Sequence, residues 1–119
     1  MRIIAIRTIK NGYKEFPEAK QSLLAWNEEV ELAKWRNPNE LKQQHFSASI
    51  INSKRVVFNI HGNKFRLIVD IEYRLGIVFV VWFGSHKEYD KIDVNNKSCN
   101  ILSFLSLLTK LTKVLNEGD

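Results

Sequence analysis

The sequence predicts an α+β domain in which an N-terminal strand and helices pack on one face of a mostly antiparallel sheet. Three observations carry that expectation. Between Arg55 and Phe83, apolar residues alternate with period two through segments separated by turn residues, the pattern of a meander. Before it, Leu23, Trp26, Val30 and Ala33 recur at helical spacing. The opening Met1–Arg7 alternates again, so a strand precedes the helices. With 119 residues the chain is long enough for one two-layer core and too short for two domains.

Each element has a local reason. Thr8 is a possible cap for a helical stretch to Phe16, weakened by Asn11-Gly12. Pro17 suits a first helical turn, where its missing N–H costs nothing. The helix bearing Trp26 ends before Asn37-Pro38, and Trp26 and Trp35 are expected in the core. Asn37 as cap, Pro38 at the first position and Glu40 as a capping-box acid start a short helix to about Gln44. His45 to Ser53 reads as a loop. In 55–60, Val56, Phe58 and Ile60 share a face opposite Arg55, Val57 and Asn59. His61-Gly62-Asn63 supplies a hairpin turn. In 64–73, Phe65, Leu67, Val69 and Ile71 point one way and Arg66, Ile68, Asp70 and Glu72 the other. After Arg74-Leu75-Gly76, the segment 77–83 is apolar on both faces, as a covered strand would be, and Gly84-Ser85 ends it. Ile101, Phe104, Leu105, Leu108, Leu111 and Leu115 then form one stripe, predicting an extra C-terminal amphipathic helix. The expected organisation is a domain over 1–95 with a helical extension of it over 96–119, through which a homo-oligomer could form.

Composition narrows the function. One cysteine, Cys99, excludes an intramolecular disulfide framework and paired-cysteine zinc sites, and points to a reducing, cytoplasmic address. No apolar stretch approaches the roughly 20 residues of a membrane helix, so no membrane partner is expected. The net charge of +5 is unevenly spread. Between Glu15 and Glu40 six acids face Lys20, Lys34 and Arg36, whereas 41–69 contains no acid beside Lys42, Lys54, Arg55, Lys64 and Arg66. Clustered cations of that kind suit a polyanion such as RNA, or simply a solvated basic face.

Metal-binding and glycine-rich phosphate motifs are absent, and no cofactor is expected. Asp70-x-Glu72 could be half a metal site, but lacks a third acid; an ordinary cross-strand ion pair is the simpler reading. Arg55, Asn59, Lys64 and Arg66 occupy polar strand positions, and His86 and Tyr89 follow the last strand. Guanidinium and ammonium groups can hold a phosphate and its transition-state charge. Histidine titrates near pH 6.5 and tyrosine near 10, so either can move a proton if suitably placed. That set suffices for metal-free RNA cleavage with the ribose 2′-hydroxyl as nucleophile; the competing reading is strand-end and ion-pair residues alone.

Segment 55–67, Arg-Val-Val-Phe-Asn-Ile-His-Gly-Asn-Lys-Phe-Arg-Leu, followed by Trp82-Phe-Gly-Ser-His-Lys-Glu-Tyr-Asp-Lys-Ile-Asp93, resembles the HigB toxins of bacterial type II toxin–antitoxin systems, in the RelE/ParE superfamily. Trp26, Trp35 and the Asn37-Pro38 break extend the resemblance over roughly 1–93. It implies a RelE-like fold and an endoribonuclease, an mRNA interferase, that cuts mRNA on the translating ribosome without a metal. It also implies a HigA-type helix-turn-helix antitoxin as partner. Carried over residue by residue, it assigns Arg66 to the scissile phosphate, His86 to acid/base work, and Tyr89 to partnering His86 or stacking on a base. Lys54, Arg55, Lys64 and Lys87 would hold the RNA backbone, while Asn59, Gly62 and Asn63 would shape the hairpin or touch RNA. The 94–119 extension departs from the family pattern. A non-catalytic relative that binds RNA or a protein through the same basic face is the alternative, against which His86 with Tyr89 argues.

Overall fold

A computed structural model describes residues 1–96. The expected C-terminal helix, and any oligomer formed through it, lie outside the described residues. Strand β1 (Arg2–Ile4) is followed by helix α1 (Ile6–Glu15), a 3₁₀ turn at Pro17–Ala19, α2 (Lys20–Leu32) and α3 (Pro38–Gln44). Strands β2 (Ser49–Ile50), β3 (Arg55–Ile60), β4 (Phe65–Glu72) and β5 (Ile77–Ser85) then lead into the single turn α4 (His86–Tyr89). The sheet order is β1-β5-β4-β3-β2, with β1 parallel to β5 and the remaining pairs antiparallel. This is the expected α+β architecture with one parallel edge.

The helix layer covers one face. Leu23, Trp26 and Val30 from α2 and Leu41 from α3 are buried with Val56, Phe58, Leu67, Val69, Val78 and Val80 from the sheet. Trp26 meets Phe58 edge-on at 5.4 Å, and Trp35 stacks on Phe58 at 6.4 Å, so both tryptophans are core residues. Burying aromatic rings of this size contributes more to such a small core than any hydrogen bond in it. The period-two reading of β3 and β4 therefore matches the observed inner face residue by residue.

Four local expectations are corrected. The first helix begins at Ile6, two residues before Thr8, with Ala5 in the left-handed region at φ 74° and no side-chain cap. Asn11-Gly12 does not interrupt it. Gly12 is buried where α1 crosses β5, and a Cβ there would stand 2.5 Å from the Phe83 ring. Glycine is required by that close approach and not by a turn. Glu40 misses the capping box by one position: Asn37 accepts from the Glu40 N–H as expected, but the Glu40 carboxylate accepts from the N–H of Arg36 and pairs with its guanidinium. Within the expected loop 45–53, Ser49–Ile50 forms a short edge strand on β3.

Strand β5 lies between β1 and β4, and both of its faces are covered: Val78 and Val80 join the core under the helices, and Val81 and Trp82 a second apolar cluster on the opposite face. A bulge shifts its register: Ile68 pairs with Trp82 but Val69 with Val80, leaving Val81 extra. Val81 and Trp82 consequently both pack toward the second face, with Val57 and Ile68. The bulge sits just before the segment that delivers His86.

Candidate active site

Three neighbouring strands converge on Arg66. Its Cα is paired with Asn59 on one side and Gly84 on the other. The hairpin behind it turns at His61 and Gly62, both with positive φ (55° and 66°), so histidine shares a conformation that glycine adopts freely. Asn63, the next residue, anchors the guanidinium. Arg66 Nη2 donates to Asn63 Oδ1 at 2.7 Å, and Nη1 donates to the carbonyls of Asn63 and Phe65, each at 3.1 Å. Three acceptors hold the guanidinium plane in one orientation, which a lysine could not match.

His86 reaches the same place from the end of β5. Its N–H donates to the Lys64 carbonyl at 2.9 Å, extending the β4–β5 pairing one step into α4. Ser85 caps that turn. Its hydroxyl oxygen accepts from the Glu88 N–H, while Glu88 Oε1 accepts from the Ser85 N–H. The imidazole then lies with Nδ1 3.4 Å from Arg66 Nη2 and Nε2 3.4 Å from Asp90 Oδ2. A guanidinium only donates, so Nδ1 is the acceptor and the neutral ring carries its proton on Nε2, toward Asp90; this tautomer is assigned from the network. The His86 side chain is 43% exposed and open to a substrate. Tyr89 lies one helical turn on, with its ring centroid 6.0 Å from Arg66 Cζ and edge-on to Trp82 at 6.4 Å. Arg66, His86 and Tyr89, separated by up to 23 positions in sequence, thus form one cluster. Asn63 joins it as the residue that orients Arg66.

The remaining basic residues are placed differently. Lys87 is exposed on α4 beside the cluster. Lys64 is exposed in the hairpin, 3.5 Å from Glu18. Lys54 is paired with Glu72 at 3.4 Å, toward the other end of β4. The Asn59 amide donates to the Ser47 carbonyl at 3.4 Å, bracing the edge of the sheet. Arg55 is where the expected assignment fails geometrically: it is 8% exposed. Its Nε and Nη2 donate to the two Asp70 oxygens, each at 2.8 Å, and Nη1 donates to the Val94 carbonyl at 2.9 Å. A side chain buried in that fork is not presented to a polyanion. Asp70 and Glu72 are both ion-pair partners, and among the described residues no group of three or more His, Cys, Asp or Glu could hold a metal ion.

Asp90 stands in the His-Lys-Glu-Tyr-Asp segment of the resemblance without an assigned role; the structure places it beside His86 as its i+4 neighbour on one side of a helical turn. What sequence reasoning missed is a cleft of about 460 Å³ beside His86, lined by Phe16, Glu18, Lys64, Phe65, Lys87 and Asp90 among others. No spacing rule joins residue 16 to residue 86; only the fold does.

The arrangement offers a fixed cation for a phosphate and an exposed imidazole that can move a proton. Among the described residues no helix is long and apolar enough to cross a membrane. The family model of the HigB toxin, described as the RelE-like toxic component of a toxin–antitoxin system, matches residues 19–92, which include Arg66, His86 and Tyr89. The chain is similar to the mRNA interferase toxin HigB of Escherichia coli strain K12, with 25% identity over 92 residues covering 76% of this chain and 88% of that protein. The mRNA interferase HigB of Shigella flexneri is similar to the same extent. A family match over more than half of the chain, spanning the β3–β4–β5 meander and the turn that carries His86, shows that this chain belongs to the HigB toxin family.

Proposed function

We propose that the chain is an endoribonuclease that cuts mRNA on the translating ribosome without a metal ion, and that a HigA-type helix-turn-helix antitoxin holds it inactive in the cytoplasm. The observation that carries this reading is the 3.4 Å approach of an exposed His86 imidazole to a guanidinium already oriented by Asn63 and Phe65. The names of the Escherichia coli and Shigella flexneri relatives support the RNase class. In the reaction, the ribose 2′-oxygen attacks phosphorus, the bond to the 5′-oxygen breaks, and the products are a 2′,3′-cyclic phosphate and a 5′-hydroxyl. One proton leaves the nucleophile and one joins the leaving oxygen. Arg66 binds the phosphate and offsets the charge that grows on its oxygens. His86 moves a proton through its exposed imidazole, whose Nδ1 faces Arg66 Nη2. Tyr89 partners His86 or stacks a base, and Lys64 and Lys87 bind flanking phosphates. Lys54 lies farther along the strand and contributes to the outer RNA path, while Asn59 and Asn63 shape the hairpin. Arg55 acts through folding alone.

Purified protein added to a translation reaction, with the mRNA mapped by primer extension, tests this directly. Discrete cuts that require ribosomes and leave 5′-hydroxyl ends are expected. Intact mRNA at all protein concentrations would leave a non-catalytic, binding member of the family. Cleavage of bare RNA that depends on added magnesium would overturn the metal-free chemistry.

A further inference from the structure

Cross-strand partners project from the same side of a sheet, so the pairings Arg66–Gly84 and Ile68–Trp82 put Trp82 and Gly84 on the face that carries Arg66. The β5 bulge sets this register: with Val81 extra, Trp82 turns away from the helix layer and packs with Val57, Ile68 and Val81. Gly84 brings no side chain to the place beside Arg66. The indole of Trp82 fills that place instead, since a Cβ at position 84 would stand 2.6 Å from both Cζ2 and Cη2 of its ring. Any larger residue at 84 has to move the indole.

Tyr89 is the residue this indole supports. It sits on α4, a turn of four residues, too short to hold a side chain in place through its own backbone bonds. Its ring packs on the second-face cluster and meets Trp82 edge-on, with centroids 6.4 Å apart and planes at 86°. That separation lies within the roughly 4.5–7 Å at which aromatic pairs attract. The same ring has Arg66 Cζ 6.0 Å from its centroid. Both neighbours are themselves fixed. Arg66 is oriented by Asn63 and the Phe65 carbonyl, and Trp82 by its strand and its close fit over Gly84. We infer that Trp82 is a positioning residue of the cleavage reaction: seated in the space that Gly84 leaves, it holds the Tyr89 ring beside Arg66. This rests on the endoribonuclease reading and on the role of Tyr89 within it. Without the indole, Tyr89 keeps one of these two neighbours and its ring leaves the productive position; a misplacement of about 1 Å can cost about 10² in rate. Trp82 acts through Tyr89 and not through RNA, so the rate of the chemical step falls while affinity for the substrate does not.

The experiment measures cleavage by the full chain on mRNA-programmed ribosomes over a range of protein concentrations, with a melting curve for each variant. It yields a maximal rate and a half-saturating concentration. Trp82→Leu is expected to lower the maximal rate about tenfold, with the half-saturating concentration within about twofold of wild type. Trp82→Phe keeps an aromatic ring beside Tyr89 and is expected to stay within about threefold of the wild-type rate. Gly84→Ala displaces the indole without removing it, and is expected to lower the maximal rate about as much as Trp82→Leu. In the Trp82→Phe background the smaller ring leaves room for the methyl group, so adding Gly84→Ala there is expected to cost no more than about twofold. A near-wild-type maximal rate in folded Trp82→Leu, a loss confined to the half-saturating concentration, or an equal Gly84→Ala penalty in both backgrounds would overturn the positioning role while leaving the nuclease intact. If Trp82→Leu melts below the assay temperature, Gly84→Ala and its double variant decide by the same comparison. Absence of any cleavage by wild type would instead remove the reading on which it rests.

Discussion

The two faces of the sheet are built on opposite terms. The face under the helices is apolar almost without interruption, and its aromatic and branched side chains interlock with Leu23, Trp26, Val30 and Leu41. The other face has a small apolar cluster of Val57, Ile68 and Val81, partly covered by Trp82, Tyr89 and Ile92. A buried ion pair lies beside it, and a solvent-facing cationic cluster lies at the end of the strands. Arg55 and Arg66 stand on the same face of adjacent strands and differ in what surrounds them. Arg55 meets a carboxylate fork and disappears into the fold. Arg66 meets neutral acceptors and a histidine, which orient it without neutralising it, so its charge remains available to a ligand. Residue type and strand position are thus a poor guide to role; the partner decides.

The sharpest way to break that comparison is to remove the Arg55 partner. Asp70→Ala strands a buried guanidinium and is expected to cost about 3–5 kcal/mol of folding stability in chemical denaturation. Arg66→Ala is expected to leave the denaturation midpoint close to wild type while abolishing mRNA cleavage. If the two variants exchange phenotypes, the division of the face is wrong. Next in size, His86→Gln is expected to lower the cleavage rate by about 10² or more, the scale of losing a proton-transfer group, again without unfolding. A rate within a few-fold of wild type would move the chemistry away from the imidazole.

On the helix-covered face the expected effects concern packing and pH. Gly12→Ala improves intrinsic helix propensity by close to 1 kcal/mol but drives a methyl group into the Phe83 ring. Overpacking of that kind costs about 1–3 kcal/mol, so a net loss of stability is expected; a rise in melting temperature would show that the ring can yield. The smallest effect belongs to His45, which packs edge-on against Trp35 and Phe58. Burial holds its imidazole below the ordinary value, with the nearby Glu29 carboxylate pulling in the other direction. The unfolded chain therefore takes up this proton more readily than the folded one. Stability from this group is complete above about pH 6.5 and declines as pH falls through that range toward the lower folded value. His45→Phe keeps the ring contacts and removes the titration. Melting curves at pH 7.5 and 5.5 should draw closer together in that variant than in wild type, and an unchanged gap would assign the acid sensitivity elsewhere.

Much of this molecule follows from periodicity that any reader of the chain can see. The inner faces of β3 and β4 and the apolar stripe of α2 were legible because burial rewards one side of a strand or helix consistently. The proline-started α3 and the glycine-bearing hairpins were legible because φ restricts which residues fit. The candidate histidine and tyrosine could be picked out as polar residues placed directly after a buried strand, and the family resemblance rested on the same segment. Four decisions belonged to the tertiary structure. The crossing of α1 over β5 explains Gly12, which in sequence looks like a helix breaker. The β5 bulge, one residue of register, turns Val81 and Trp82 to the same face. The carboxylate opposite Arg55 removes it from the basic surface. The approach of the Pro17–Ala19 turn to the β4–α4 corner brings Phe16 and Glu18 beside His86. Local sequence sets backbone preference and the side on which a residue points, but pairing between distant segments depends on how whole elements pack, and no short-range pattern encodes that.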